Sequence, residues 1–421
     1  MHIGYSFVDI TPPLGVELCG YGYYPARKAE AVKDPLFARA VFFSEGQKKL
    51  LLLNCDLLTL SKQIVDTVKQ KLKEDLGLKA EDILLLSTHT HTGPNASDTE
   101  GIGERDESYV RSLPALLIKA GNGAFENLRQ VKEAKQIKAA LGSGIGFNRV
   151  NPTGPVDNTL HGMSFHFEKG KPLAILSYGC HPVTLGPSRE ISADYPGSVV
   201  RRMAEAGYDS LFLTGFCGDI DPVSNRVQWG SGTQETIDQY GKTIADTFLR
   251  EFAEAVPMDD LSLDSFAVPV NLRMVKLSME DIARMIEDYA REKAVSSGQL
   301  KLLQVWASKM DYNLANSADP YVKTLITQVL KIGKVVMFGF PAEMFTALGF
   351  PLGEALPEMN VMALGNANAA AGYIATRDDI ENRGYAGFAS SFLYLTLPLE
   401  AGEGERLAGE VAKEAKVKLV R

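Results

Sequence analysis

The sequence predicts an α/β protein of layered mixed β-sheets flanked by helices, with its site at the C-terminal ends of strands. Three observations carry this expectation. A strand, helix, strand pattern recurs three times along the 421 residues, the strands in it are continuously apolar, and each recurrence delivers polar residues just past a strand end. Unbroken apolar strands belong to sheets covered on both faces. Ligands of open α/β sheets bind beyond the strands' carboxyl ends, so the polar residues are expected to share one cleft.

The first recurrence opens with KLLLLNCDLL (49–58), a buried strand. SKQIVDTVKQKLKEDLG (61–77) follows as a helix with a serine N-cap and a glycine stop. DILLLST is the second strand and runs into His89. In the second recurrence PLAILSYGC (172–180) leads to His181, YPGSVVRRMAEAG (195–207) is helical, and SLFLTGFCGDID carries a strand into Asp219 and Asp221. In the third, KVVMFGFPAE (334–343) ends at Glu343, MFTALGFPLGEAL is a broken helix, and NVMALGNANAAAGY leads to Tyr373. Residues 107–128 and 278–317 read as further helices and 261–274 as a strand. No tandem repeat, low-complexity tract or long polar linker divides the chain, so one domain over 1–421 is expected.

Composition narrows the class. The chain is 45% apolar and 23% charged with a net charge of −8, which gives no footing for nucleic acid or an anionic membrane as main partner. A small-molecule substrate and no stable membrane association are expected. No basic segment followed by an apolar core opens the sequence, and no run approaches 18 apolar residues. Cys19, Cys55, Cys180 and Cys217 form no CxxC pair and read as reduced, buried thiols. A cytoplasmic protein is the expectation.

The candidate site begins with STHTHTGPN (87–95). If LLLSTHTH stays extended, His89 and His91 share a face, because the side-chain period of a strand is two. Gly93-Pro94 then forces a turn that exposes the strand end. The pair alone fits two hydrogen-bonded histidines as well as a metal site, which needs three or four converging ligands. His181, in YGCHPVTLG, is a third histidine at a third strand end, whereas His2, His161 and His166 read as structural. Glu343 follows a very apolar strand, where an unpaired carboxylate is expensive, so a partner is expected. Asp219 and Asp221 stand two apart between Gly218 and Pro222 and can serve as base, ligand or acceptor, or as solvated turn residues. Arg149 lies in a Gly- and Pro-rich loop suited to a functional cation. Tyr373 and Tyr385 read as ordinary loop aromatics.

Together these segments resemble the neutral, non-lysosomal ceramidase family. VDITPPLGVELCGYG, STHTHTGP, FNR with GPVD, CHPVTLG with ISADYPG, GDIDP, PAEMFTALG and GYIATRDDIENRGYAG follow one another in that family's order. The resemblance implies a Zn2+ ion held by His89, His181, Glu343 and Tyr373, with His91 as a hydrogen-bonding group beside it. It also implies Arg149 as a substrate contact and Tyr385 as a hydroxyl lining the site. Two imidazoles, a carboxylate and a phenol suit zinc and leave a position for water. Two departures qualify it. Asp221 stands where the family carries a serine proposed as nucleophile, and an aspartate there would have to form an anhydride, so a metal-activated water is the more economical nucleophile. The family's secreted members carry a further C-terminal β-sandwich, and this sequence ends near the last site motif. The expected function is therefore a zinc-dependent hydrolase cleaving an amide, or an ester, of a small polar N-acyl substrate. In it His91 or Asp221 moves protons and Arg149 and Asp219 hold substrate. A zinc enzyme isomerising, epimerising or delactonising sugars, and a metal-binding protein without turnover, stay open beside it.

Overall fold

The computed structural model describes residues 1–142 and 144–420. Its larger sheet is built from β1 (His2–Asp9), β2 (Phe37–Glu45), β3 (Lys48–Cys55), β4 (Ile83–Ser87), β5 (Arg129–Ala140), β6 (Thr159–Phe167), β7 (Leu173–Tyr178) and β8 (Asp209–Thr214). They lie in the order β8-β7-β6-β5-β1-β2-β3-β4, and the short strand Val256–Pro257 adds to β5 where β1 leaves it. A smaller sheet runs β9 (Leu263–Arg273), β10 (Val322–Ile332), β11 (Val335–Gly339), β12 (Asn360–Leu364).

Most neighbours in these sheets are antiparallel, but β3 and β4, β7 and β8, and β11 and β12 are parallel. These are the three recurrences read from the sequence. Each is joined by a crossover: α1 (Lys62–Leu76) in the first, α3 (Asp194–Glu205) in the second, and in the third a short 3₁₀ turn at Thr346–Gly349 running into the helix Phe350–Ala355. Local chemistry fixes the first crossover as expected. Ser61 accepts from the Ile64 N–H at its start, and Gly77 ends it at φ 64°.

The strands are apolar on both sides because both faces are covered. Leu50 and Leu52 of β3, Leu84 and Leu86 of β4 and Leu211 and Leu213 of β8 meet Leu330, Ile332, Met337, Met362 and Leu364 of the smaller sheet. The alternate residues Leu51, Leu53 and Leu85 face α1 and α2 (Glu107–Glu126). On the other half of the sheet Leu176 and Phe212 meet Val199 and Met203 of α3 and Ile244 and Phe248 of α4 (Gln234–Glu251). The smaller sheet turns Val270 and Phe338 toward Leu407 and Val411 of the last helix, Glu403–Leu419. The layers are thus helix, sheet, sheet, helix.

The helix expected over 278–317 is two helices, Met279–Lys293 and Ser297–Asn316. Ala294 breaks the run at φ 46°, and Ser296 caps the second helix by accepting from the Gln299 N–H. The helix expected at 195–207 begins one residue earlier, at Asp194. No described helix is long and apolar enough to cross a membrane.

Bridges between Leu86 and Ala367 and between Gly215 and Leu364 fasten the ends of β4 and β8 to the third unit. The C-terminal ends of all three parallel pairs are thereby gathered at one place between the sheets.

Close approach elsewhere is bought by glycine: a Cβ on Gly4 of β1 would stand 1.8 Å from the Ala124 carbonyl oxygen of α2. Gly4→Ala is expected to cost at least about 2 kcal/mol, since helix backbone cannot step aside as a side-chain tip can. Gly409→Ala, on the last helix with nothing within 4 Å of the new methyl, is expected to add about 0.5–1 kcal/mol. Denaturant midpoints at unchanged slope check both signs.

Candidate metal centre

β4 stops at Ser87, and the chain continues beside the end of β3, where Thr88 and His89 donate their N–H groups to the Cys55 and Leu57 carbonyls at 2.9 Å. His89 adopts φ 70°. The extended run expected through His91 is therefore broken, because the sheet ends and the backbone turns left-handed at His89. The two rings still converge, now through that turn and not through strand alternation. His181 follows β7, its N–H bound to the Ile220 carbonyl at 2.9 Å. Glu343 begins a two-residue strand paired in parallel with Tyr373–Ile374, with Glu343 opposite Tyr373.

Three imidazoles meet here. The ring of His89 lies 5.0 Å from that of His91 and 5.0 Å from that of His181, and one ligand atom from each ring falls within 4.8 Å of the other two. Every Nδ1 sits on a main-chain carbonyl: His89 on Leu58 at 2.7 Å, His91 on Gly20 at 2.9 Å, His181 on Cys217 at 2.5 Å. A carbonyl only accepts, so each Nδ1 carries a proton, and Nε2 is the ring atom each histidine has free to turn toward a ligand. Burial, with the fields of His89 and His181, holds the His91 imidazole well below its ordinary pKa. Burial, with Arg149 nearby, lowers that of His181.

Glu343 supplies the negative charge and is 4% exposed. Its Oε2 lies 3.1 Å from His89 Nε2 and 3.0 Å from His181 Nε2, and its Oε1 accepts from the Tyr394 hydroxyl. Burial pushes this carboxyl up, but the two imidazoles hold it well below the usual carboxylate range. Without an ion, Nε2 protons bridge the two rings to this oxygen, and a bound cation would take the place of those protons. Donor atoms sharing one zinc ion at about 2.0–2.2 Å stand roughly 3–3.5 Å from each other, so this set fits a metal ion.

Arg149 ties the rest of the site together. It donates to Asp221 Oδ1 at 3.1 Å, to the Gly218 carbonyl at 2.8 Å and to the Tyr373 hydroxyl at 3.1 Å. Burial, with Glu343 close, raises the Tyr373 phenol well above its ordinary pKa, and Arg149 opposes that rise. Asp221 is therefore a buried, paired carboxylate and not a free acid.

Asp219 departs from the substrate contact expected of it. Its oxygens are taken by the Thr346 N–H at 2.7 Å and the Asn148 amide at 2.8 Å, so it pins the Arg149 loop to the segment after Glu343. Tyr385 is 48% exposed, and its ring lies 5.7 Å from that of Tyr373. His161 pairs with Asn360 and His166 with Ser164, both away from the centre, and all four cysteines are free and buried.

Sequence reasoning missed two residues of the centre. Tyr394, in SSFLYLTLP, carries no local mark, since only its contact with Glu343 shows its place. Tyr21 lies against His91 at 5.2 Å between ring centroids. The preceding Gly20 adopts φ 103°, and a Cβ there would stand 2.5 Å from His91 Nδ1.

Residues 1–102, which include His89 and His91, match the family model of neutral/alkaline non-lysosomal ceramidase, N-terminal. No curated protein sequence matches the chain. Among solved structures, neutral ceramidase from Pseudomonas aeruginosa is similar with a TM-score of 0.76 at 18% identity, covering 99% of this chain and 74% of that one. A ceramidase complexed with C2 is similar with a TM-score of 0.75 at 17% identity, covering 100% of this chain and 75% of that one. At these identities the two structures speak for the fold, while the match over 1–102 bears out the resemblance read from the sequence.

Metal-free protein is expected to show imidazole Nδ1–H signals from His89, His91 and His181 in nitrogen-resolved NMR spectra. Gly20→Ala, which drives a methyl into the His91 ring, should erase the His91 signal and leave the others. Absence of a proton on Nδ1 of these rings in the unsubstituted protein would contradict the assignment.

Proposed function

We propose, from a chain that carries the N-terminal segment of the neutral/alkaline ceramidases and their fold, that this protein is a zinc-dependent hydrolase of an amide, or an ester, in an N-acyl substrate. The observation that carries the reading is the cluster of three imidazoles, each fastened at Nδ1 by a main-chain carbonyl, with the Glu343 carboxylate against Nε2 of His89 and His181. His89, His181, Glu343 and Tyr373 would hold the ion, with the His91 ring beside those of His89 and His181. When bound, zinc supplies Lewis-acid polarisation of a carbonyl and lowers the pKa of water toward about 7.

The chain's own residues do the rest. Tyr394 fixes the rotamer of Glu343 by binding its other oxygen, and Leu58 and Cys217 fix the two rings, in the way carboxylates and carbonyls behind ligands set their basicity. Arg149 offsets the negative charge of Asp221 and of a phenolate at Tyr373. His91, whose Nε2 has no partner in the protein, can accept a hydrogen bond from a group placed beside it. The pairing of Asp221 with Arg149 also bears on substrate. A neutralised ion pair repels an apolar chain less than a lone carboxylate does, so the polar group the site favours lies close to the scissile bond, and the acyl portion beyond it is less restricted. The four unpaired buried thiols fit a reducing compartment, and we place the protein in the cytoplasm.

Metal analysis with a hydrolysis screen over N-acyl amino alcohols, N-acyl amino sugars and simple esters tests the reading. His181→Ala should retain less than about a tenth of the metal. His91→Ala should keep its metal yet lose about 10²–10³ in kcat/KM, and equal loss of metal from both variants would make His91 a ligand instead. Asp221→Ser should keep its metal and lose activity by about tenfold or more, because Arg149 then keeps only the Tyr373 hydroxyl and the Gly218 carbonyl as partners. Turnover of unacylated sugars with no water consumed would favour the sugar-acting reading.

A further inference from the structure

A cleft of about 340 Å³ lies between α3 and the first two strands of the larger sheet, and it shares no lining residue with the metal centre. That volume falls within the range of small-molecule pockets. Tyr5 and Phe7 of β1 and Phe37 of β2 form one wall as a chain of rings, with centroids 6.1 Å apart from Tyr5 to Phe7 and 5.7 Å from Phe7 to Phe37. Val200 and Ala204 of α3, with Tyr208 after it, form the other. Phe7 is 58% exposed, a large ring that the fold leaves uncovered. Asp34 stands at one end beside Gly197, where a Cβ would come within 3.1 Å of its Oδ1. About two turns of α3 further on, roughly 10 Å, the cleft passes to Asp209 and Ser210 at the start of β8.

Most charges lining the cleft already have partners. Arg39 holds Asp56 at 2.7 Å, Arg201 holds Asp238, and Asp209 has Arg129 at 3.7 Å with Lys171 adding to its field. Lys171 is exposed and keeps its water. Asp34 is different. Among the described residues it is bound only by neutral donors, the Ser192 hydroxyl at 2.6 Å and the Ala193 N–H at 2.8 Å, and burial raises its carboxyl above the ordinary pKa in spite of them. At the far end Ser210 is 2% exposed, and its Oγ is bonded to nothing in the protein. A buried hydroxyl without a partner is rare and marks a place for the polar atom of a ligand.

We propose that this cleft binds an arylalkylamine, with its ammonium group at Asp34, its ring along Tyr5, Phe7 and Phe37, and a ring hydroxyl at Ser210. The site is a second one, independent of what the metal centre does. An ammonium group supplies the cation that Asp34 lacks, through carboxylate lone pairs that Ser192 and Ala193 leave open. Aromatic walls favour both the cation and an aryl body. A carboxylate in its place would meet Asp34, and the exposed Lys171 offers it little in return.

Tyramine has the proposed form; tyrosol carries a hydroxyl, and phloretate a carboxylate, in place of its ammonium group. Calorimetric titration of the full chain should give tyramine a Kd below about 1 mM, at least about tenfold tighter than tyrosol, with phloretate weaker still. Asp34→Asn keeps an acceptor for the Ala193 N–H and should erase the advantage of tyramine over tyrosol. Ser210→Ala should bring tyramine to the affinity of phenethylamine, which lacks the ring hydroxyl. Phe7→Ser, at an exposed position, should weaken tyramine by about fivefold or more with metal content unchanged, and it decides the matter if Asp34→Asn fails to fold. An amine bound at the metal centre instead would be untouched by Phe7→Ser, and that result would overturn the proposal. Equal affinity for the three compounds, tighter binding of phloretate, or no binding of tyramine would overturn it as well.

Discussion

Three imidazoles are turned toward one another by main-chain carbonyls, and the rest of the structure is arranged so that they cannot turn away. Leu58, Gly20 and Cys217 each hold an imidazole by its Nδ1 proton. The three carbonyls sit in different parts of the fold: the continuation of β3, the N-terminal loop, and the turn after β8. Holding them in register therefore requires the larger sheet to be complete. Glu343 arrives from the smaller sheet and meets two of the rings with one oxygen. The apolar layers around these groups are close-packed and hold them in place.

The layered architecture explains why this geometry is reachable. A parallel strand pair with its crossover places the loops after both strands on the same edge of the sheet. Three such pairs, two in one sheet and one in the other, deliver their loops to a common edge, where the bridges at Leu86 and Gly215 lock the sheets together. Asp219 performs the same locking on a smaller scale by joining the Asn148 loop to Thr346. A carboxylate that sequence pattern places at the site thus serves its shape.

Legibility followed the range of the interactions. The three crossovers, the Ser61 cap and the Gly77 stop could be read because period and capping are local, and the described structure carries all of them. His89, His181 and Glu343 were legible as residues past strand ends. Their mutual geometry was not, because the left-handed turn at His89 replaces the alternation that a continuing strand would impose. The helix expected over 278–317 shows the same limit, since the apolar pattern carries through Ala294 while the backbone does not. Tyr394 and Tyr21 were out of reach for a further reason. Their places depend on partners 51 and 70 residues away, Glu343 and His91, and an aromatic in a loop has no pattern of its own to reveal them.

The separation of the groups along the chain has a consequence for how the molecule is made. Glu343 lies 254 residues from His89 and 162 from His181, and its strand partner Tyr373 is later still. Contacts so distant in sequence form late, because loop closure must be met before they reward it. As synthesis proceeds from the N-terminus, the histidine-bearing sheet is assembled well before the segment that brings the carboxylate. A metal ion bound by the proposed set would gain its full ligand complement only at that last docking step, and would stabilise only the chain that has completed it. Loading would then act as a thermodynamic seal on finished copies, withheld from partly folded ones by topology alone.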